Sequence, residues 1–166
     1  MALSKKMNDQ LNAQIGHELA ASQTYLAMAC QFEGMGLSVM AQYFRKQSDE
    51  ERTHALKIVD YILNVGGTVR FEALAAPKAG YSSVEEAVKT ALGHERTVTG
   101  QINDLVALSE KEKDYATRSL LNWFVDEQVE EESTMSALLA RVQMAGKSLL
   151  QLEAFMARFM SGEAAG

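Results

Sequence analysis

One cysteine, one proline and one tryptophan are spread over 166 residues, and each scarcity excludes something. A single Cys30 rules out an internal disulfide, a CxxC redox pair and a thiolate zinc site. Flanked by Met28 and Ala29, it reads as a small buried apolar side chain. The lone proline, Pro77, leaves almost nothing in the chain to interrupt a helix. No stretch approaches the ~20 apolar residues that a membrane span needs. The opening Met1-Ala2-Leu3-Ser4-Lys5-Lys6 turns polar at once and has no signal-peptide core. A soluble, cytoplasmic protein with no membrane partner is therefore expected. Positive charge is also short: 16 Lys and Arg stand against 22 Asp and Glu, a net charge of −6. Nucleic acid, which demands clustered cations, is excluded as a partner. No GxGxxG, P-loop or nucleophile triad is present.

What is there is helix. Hydrophobic residues make up 47% of the chain, ordinary for a soluble domain, and one domain over 1–166 is expected. Periodicity predicts helices over 5–34, 37–65, 83–110, 114–144 and 147–160. Gly34-Met35-Gly36 and Glu110-Lys111-Glu112-Lys113-Asp114 are short breaks, so each joins antiparallel neighbours. Ser82 or Ser83 caps the third helix, with Glu85 and Glu86 in its first turn. The connection 66–82 is long enough, at roughly 55 Å extended, to run the length of a bundle. It makes helices two and three parallel. The expected fold is all-α: a four-helix bundle over 5–144 with a long crossover, plus a short fifth helix.

Each long helix carries an apolar stripe interrupted near its middle by a polar side chain. The first reads Leu11, Ile15, Glu18, Ser22, Tyr25, Ala29, Phe32. The second reads Met40, Phe44, Gln47, Glu51, His54, Ile58, Tyr61, Val65. The third reads Val84, Val88, Ala91, Glu95, Val98, Ile102, Leu105, and the fourth Leu121, Phe124, Gln128, Glu131, Met135, Leu138, Val142. Steps of three and four put every member on one buried face. An unpaired ionised carboxylate in such a face costs several kcal/mol. Four of them, meeting in one mid-bundle layer with an imidazole, call for a counter-charge that two divalent cations supply. Glu51 and His54, three residues apart, can grip one ion together, and Glu51 is placed to bridge two. Oxygen donors with one nitrogen suit iron or manganese. The other reading of the same layer is a non-catalytic helical bundle whose carboxylates are simply protonated.

The pattern resembles the ferritin-like di-iron carboxylate bundles and, over nearly the whole chain, the bacterial non-haem ferritins. The stretches that carry the resemblance are Ile15-Gly16-His17-Glu18-Leu19-Ala20-Ala21-Ser22 through Tyr25, Glu50-Glu51-Arg52-Thr53-His54, His94-Glu95, and Asn122-Trp123-Phe124-Val125-Asp126-Glu127-Gln128 through Glu132. Gln128-x-x-Glu131 replaces the second Glu-x-x-His of many di-iron oxidases, and Arg52 occupies the place of the haem-binding methionine of bacterioferritins. Haem is not expected. The resemblance implies a first iron site of Glu18, Glu51 and His54, and a second of Glu51, Glu95 and Glu131 with Gln128 as polar neighbour. It implies a third iron nearby on Glu50, Glu127 and Glu130, and an electron-donating Tyr25; the other reading of Tyr25, seven residues after Glu18 on the same face, is a buried tyrosine that hydrogen-bonds a ligand. The resemblance further implies a 24-subunit homo-oligomeric shell, with the fifth helix on the four-fold axis. The implied activity is a ferroxidase that oxidises Fe(II) with O2 or H2O2 and stores Fe(III) oxide mineral. A di-iron oxidase or peroxide scavenger without storage is the alternative. His17 and His94 adjoin expected ligands but must point about 100° away from them, and Trp123 lies off the core stripe.

Overall fold

Five α-helices and no strand make up the described residues, 3–161, of the computed structural model. They are α1 (Lys5–Gly34), α2 (Ser38–Asn64), α3 (Val84–Glu112), α4 (Tyr115–Ala145) and α5 (Leu149–Ser161). Met1, Ala2 and 162–166, at the two ends of the expected domain, lie outside the described residues.

The helix ends follow from local chemistry. Ser4 caps α1, its hydroxyl accepting from Met7 N–H at 3.0 Å. Ser83 caps α3 through Glu86 N–H, and Asp114 caps α4 through Thr117 N–H. Lys113, at φ +55°, takes the left-handed turn that separates α3 from α4. The start of α2 differs, because Leu37 stands in its capping position and has no side-chain oxygen to offer. The gap is closed from the far end of the chain. Glu153 of α5 accepts from Val39 N–H and Met40 N–H, both at 2.9 Å.

Two apolar clusters fill the bundle, one on either side of its middle. In one, the C-terminal half of α1 (Tyr25, Phe32) meets the start of α2 (Met40, Phe44), the start of α3 (Val84, Val88) and the end of α4 (Met135, Leu138). In the other, the start of α1 meets the ends of α2 and α3 and the start of α4, through Leu11, Ile58, Ile102 and Leu121. Thus α2 and α3 run parallel, as the crossover requires. Leu152 and Met156 of α5 are buried in the first cluster.

The crossover is tied along α1. Asn8 and Asn12 donate to Thr68 C=O at 3.0 and 2.9 Å and accept from Thr68 N–H and Arg70 N–H. At the other end Gln31 donates to Tyr81 C=O and accepts from Tyr81 N–H. Asn8 and Gln31 are separated by about 34 Å of helix, so the segment spans most of the bundle.

One expectation fails here. Cys30 is exposed, not buried. It lies on the far side of α1 from its buried neighbours Met28 and Ala29.

Among the described residues, no helix is long and apolar enough to cross a membrane.

Candidate metal centre

Between the two apolar clusters lies a polar layer to which all four long helices contribute. Glu18 of α1 and Glu95 of α3 are each 1% exposed. Glu51 and His54 of α2 and Gln128 and Glu131 of α4 are also buried. The i, i+3 spacing on α2 sets His54 Nδ1 3.5 Å from Glu51 Oε2, and Glu18 Oε2 lies 3.9 Å from the same nitrogen. One donor atom each from Glu18, Glu51 and His54 falls within 4.8 Å of the others, close enough to share one ion.

His54 also faces a second group. Its Nε2 lies 3.9 Å from Glu127 Oε1, and His54, Glu127 and Glu131 form another set of donors within 4.8 Å. The resemblance grouped Glu127 with Glu50 and Glu130. All three, with Glu131, line a cavity of about 200 Å³ between α2 and α4 that is also bordered by Tyr43 and Gln47. Glu127 therefore belongs to both arrangements.

Glu95 is held differently. Tyr25 donates its hydroxyl to Glu95 Oε1, and Gln128 Nε2 lies 3.3 Å from Glu95 Oε2 and 3.2 Å from Glu95 C=O. Tyr25 thus hydrogen-bonds an expected ligand, as its place on the α1 stripe suggested.

The electrostatics are those of crowded, dehydrated anions. Burial, reinforced by the carboxylates of Glu95 and Glu50, pushes both Glu51 and Glu131 up to about 8. Burial and the neighbouring Glu51 hold Glu18 well above the usual carboxylate range. Glu95 is raised by burial, against the opposing hydrogen bonds from Tyr25 and Gln128. Tyr25 is pushed up by burial and by Glu95. Every shift favours protonation, so without a cation the layer resists its own charge.

Glu18 supplies the test of fit. Its Oε1 accepts from Gln14 Nε2 at 2.8 Å, but the buried Oε2 meets no hydrogen-bond donor, and the group nearest to Glu18 on α2 is another carboxylate, Glu51. Leaving a buried acceptor unmade costs about 1–3 kcal/mol, and more for a charged group. A hard cation between Glu18, Glu51 and His54 satisfies it. The donor set, carboxylate oxygens with one imidazole nitrogen, matches iron or manganese and lacks the thiolates of structural zinc.

Two contacts escaped the sequence reading. Trp123, off the stripe, lies edge-on to His54 with ring centroids 5.4 Å apart, and Lys57 Nζ sits 4.1 Å above the Trp123 ring. No spacing rule signals this, since it depends on how α2 packs on α4. Gln14 could have been found, because it sits four residues before Glu18 on the same face.

The family profile described as a ferritin-like domain spans residues 8–145. The chain is 43% identical over 132 residues, 80% of either protein, to a bacterial non-heme ferritin of Staphylococcus haemolyticus. It is 44% identical over 131 residues, 79% of either protein, to a bacterial non-heme ferritin of Staphylococcus aureus. Among solved structures, an open-pore ferritin of the hyperthermophilic archaeon Archaeoglobus fulgidus superposes with a TM-score of 0.91 at 35% identity. That match covers 93% of this chain and 98% of the other.

Proposed function

The chain belongs to the ferritin-like family, and on that premise we propose that it is an iron store with ferroxidase activity. Fe(II) is the substrate. Glu18, Glu51 and His54 hold one ion; Glu51, Glu95 and Glu131 hold the second, with Gln128 beside it. Glu50, Glu127 and Glu130 form the acidic approach and a third position. Two Fe(II) together give up the electron pair that, with two protons from solvent, takes O2 to H2O2 or H2O2 to two waters. The resulting Fe(III) leaves for the interior of a homo-oligomeric shell, stored there as oxide.

The observation that carries this reading is the buried Glu18 Oε2 without a partner, inside a layer of four raised carboxylates. A layer built only for stability would be expected to satisfy that oxygen within the protein. The chain's own contributions are ligation, exclusion of water and a preorganised negative field. Tyr25, donating to Glu95, is placed to pass an electron or to fix that ligand.

The test is anaerobic loading with Fe(II), then a rapid oxygen pulse, against a Glu51→Ala plus His54→Ala variant. A transient visible band saturating near two Fe per chain, decaying to stable ferric absorbance and absent from the variant, supports the ferroxidase. Equal, slow oxidation in both proteins refutes it. Native mass separates storage from simple turnover: twenty-four chains of 18.2 kDa give about 440 kDa, against one or two chains for a soluble oxidase. A cytoplasmic site of action goes with this reading.

A further inference from the structure

Next to Glu18, one turn earlier on α1, lies a short polar chain that the proposed reaction does not use. Gln14 is 2% exposed, deep for an amide, and its Nε2 donates to Glu18 Oε1 at 2.8 Å. Its Oε1 faces His17 Nδ1 at 3.4 Å, and His17 is exposed on the outer side of α1. The direction of these bonds is set by chemistry. Once a cation is bound, Glu18 is ionised and only accepts, so the Gln14 NH2 faces it and the Gln14 carbonyl faces the imidazole N–H.

This arrangement leaves Glu18 with two unlike oxygens. Oε1 is taken by Gln14, whereas Oε2 has no partner and stands 3.9 Å from His54 Nδ1. A glutamate turns about several side-chain bonds and, unrestrained, offers either oxygen or both. We propose that Gln14 is a positioning residue for the metal centre: it holds Glu18 Oε1 so that Oε2 alone is presented to an ion shared with Glu51 and His54, and His17 fixes the orientation of the amide. The inference rests on the proposed metal-binding role of Glu18. It adds a residue outside the expected ligand set, and a reason for a glutamine in the buried half of α1.

Residues that hydrogen-bond a metal ligand from behind typically contribute 10–100-fold to metal affinity. The test is anaerobic titration with Co(II), followed by its visible d–d absorption, on the full-length assembled protein. Gln14→Met keeps length and flexibility but removes the donor. It should bind the first Co(II) about 10–100-fold more weakly, with altered band positions as Glu18 becomes free to bind through both oxygens. Gln14→Asn keeps the amide but withdraws it by one carbon. It should behave like Gln14→Met, and it carries the test if the methionine variant does not fold. His17→Ala, at an exposed site, should give a smaller loss in the same direction. Unchanged Co(II) affinity and spectrum in a folded Gln14 variant overturns the positioning role while leaving the metal centre standing. Failure of the wild-type protein to bind Co(II) overturns the metal centre and the positioning role together.

Discussion

Stripped of metal, the protein should become less stable as the pH rises from about 4.5 to about 8, the reverse of ordinary acid denaturation. Glu131 titrates near 4.5 in an unfolded chain and is pushed up to about 8 in the fold, chiefly by burial and by the carboxylate of Glu95. The folded state therefore keeps a proton that the unfolded state has lost. Stability is greatest below the unfolded value, declines through the interval and levels off above the folded one. At 1.36 kcal/mol per pH unit, that interval is worth up to about 5 kcal/mol for Glu131 alone. Glu51, raised to about 8 as well, shares the neighbour Glu95, so the two contributions do not simply add. Against a total stability of about 5–15 kcal/mol the effect is large. The assay is guanidinium unfolding of chelator-treated protein across this pH range, at fixed protomer concentration because assembly contributes. Glu131→Gln should flatten the slope and raise the stability of the metal-free protein at about pH 8, while weakening metal binding. Added Zn(II) should reverse the slope, since its ligands must be deprotonated. A metal-free wild type whose stability is flat or rising with pH would refute the picture of a dehydrated layer resisting its charge.

Other consequences are simpler to read. Trp123 is the only tryptophan and lies against His54, so Co(II) should quench its fluorescence, and His54→Ala should abolish the quenching at low metal concentration. Tyr25→Phe removes the hydroxyl that Glu95 accepts from, which should cost about 1–3 kcal/mol in thermal unfolding of the metal-free protein, more at high pH than at low. Gly67→Ala should destabilise by more than about 1 kcal/mol in the same measurement, because its Cβ would meet Asn8 Oδ1 at 2.6 Å and Ile62 Cγ2 at 2.8 Å. Glu153→Ala should cost about 1 kcal/mol and speed hydrogen exchange at the Val39 and Met40 amides, with little change at the α3 cap.

The fold was legible because one signal sufficed for it. Along α3 and α4 every residue of the predicted stripes is buried, Glu95, Gln128 and Glu131 included, so periodicity alone identified both the core and the residues that violate it. The stripe drifts at the end of α2, where Ile62 replaces the expected Tyr61 and Val65 in the core. Crossover length gave the parallel course of α2 and α3, because reach is a matter of bond lengths. Cys30 was misplaced because its neighbours were read for composition and not for phase: twelve residues beyond Glu18, it has turned about 120° off the buried face. The pairing of Glu127 with His54 Nε2 could not be read from spacing, since it depends on the distance between two helices far apart in the chain. The start of α2 was equally opaque, its cap being supplied 113 residues later.

That late cap has a consequence in time. A chain made from its N-terminus has the whole of α2, ligands included, in hand well before Glu153 exists. At about 5–20 residues per second, roughly 6–23 s separate Met40 from the carboxylate that closes its amide. Until then the first turn of α2 can only fray or bind water. The fifth helix thus completes the second, and a chain cut short before α5 would leave open the helix that carries Glu51 and His54.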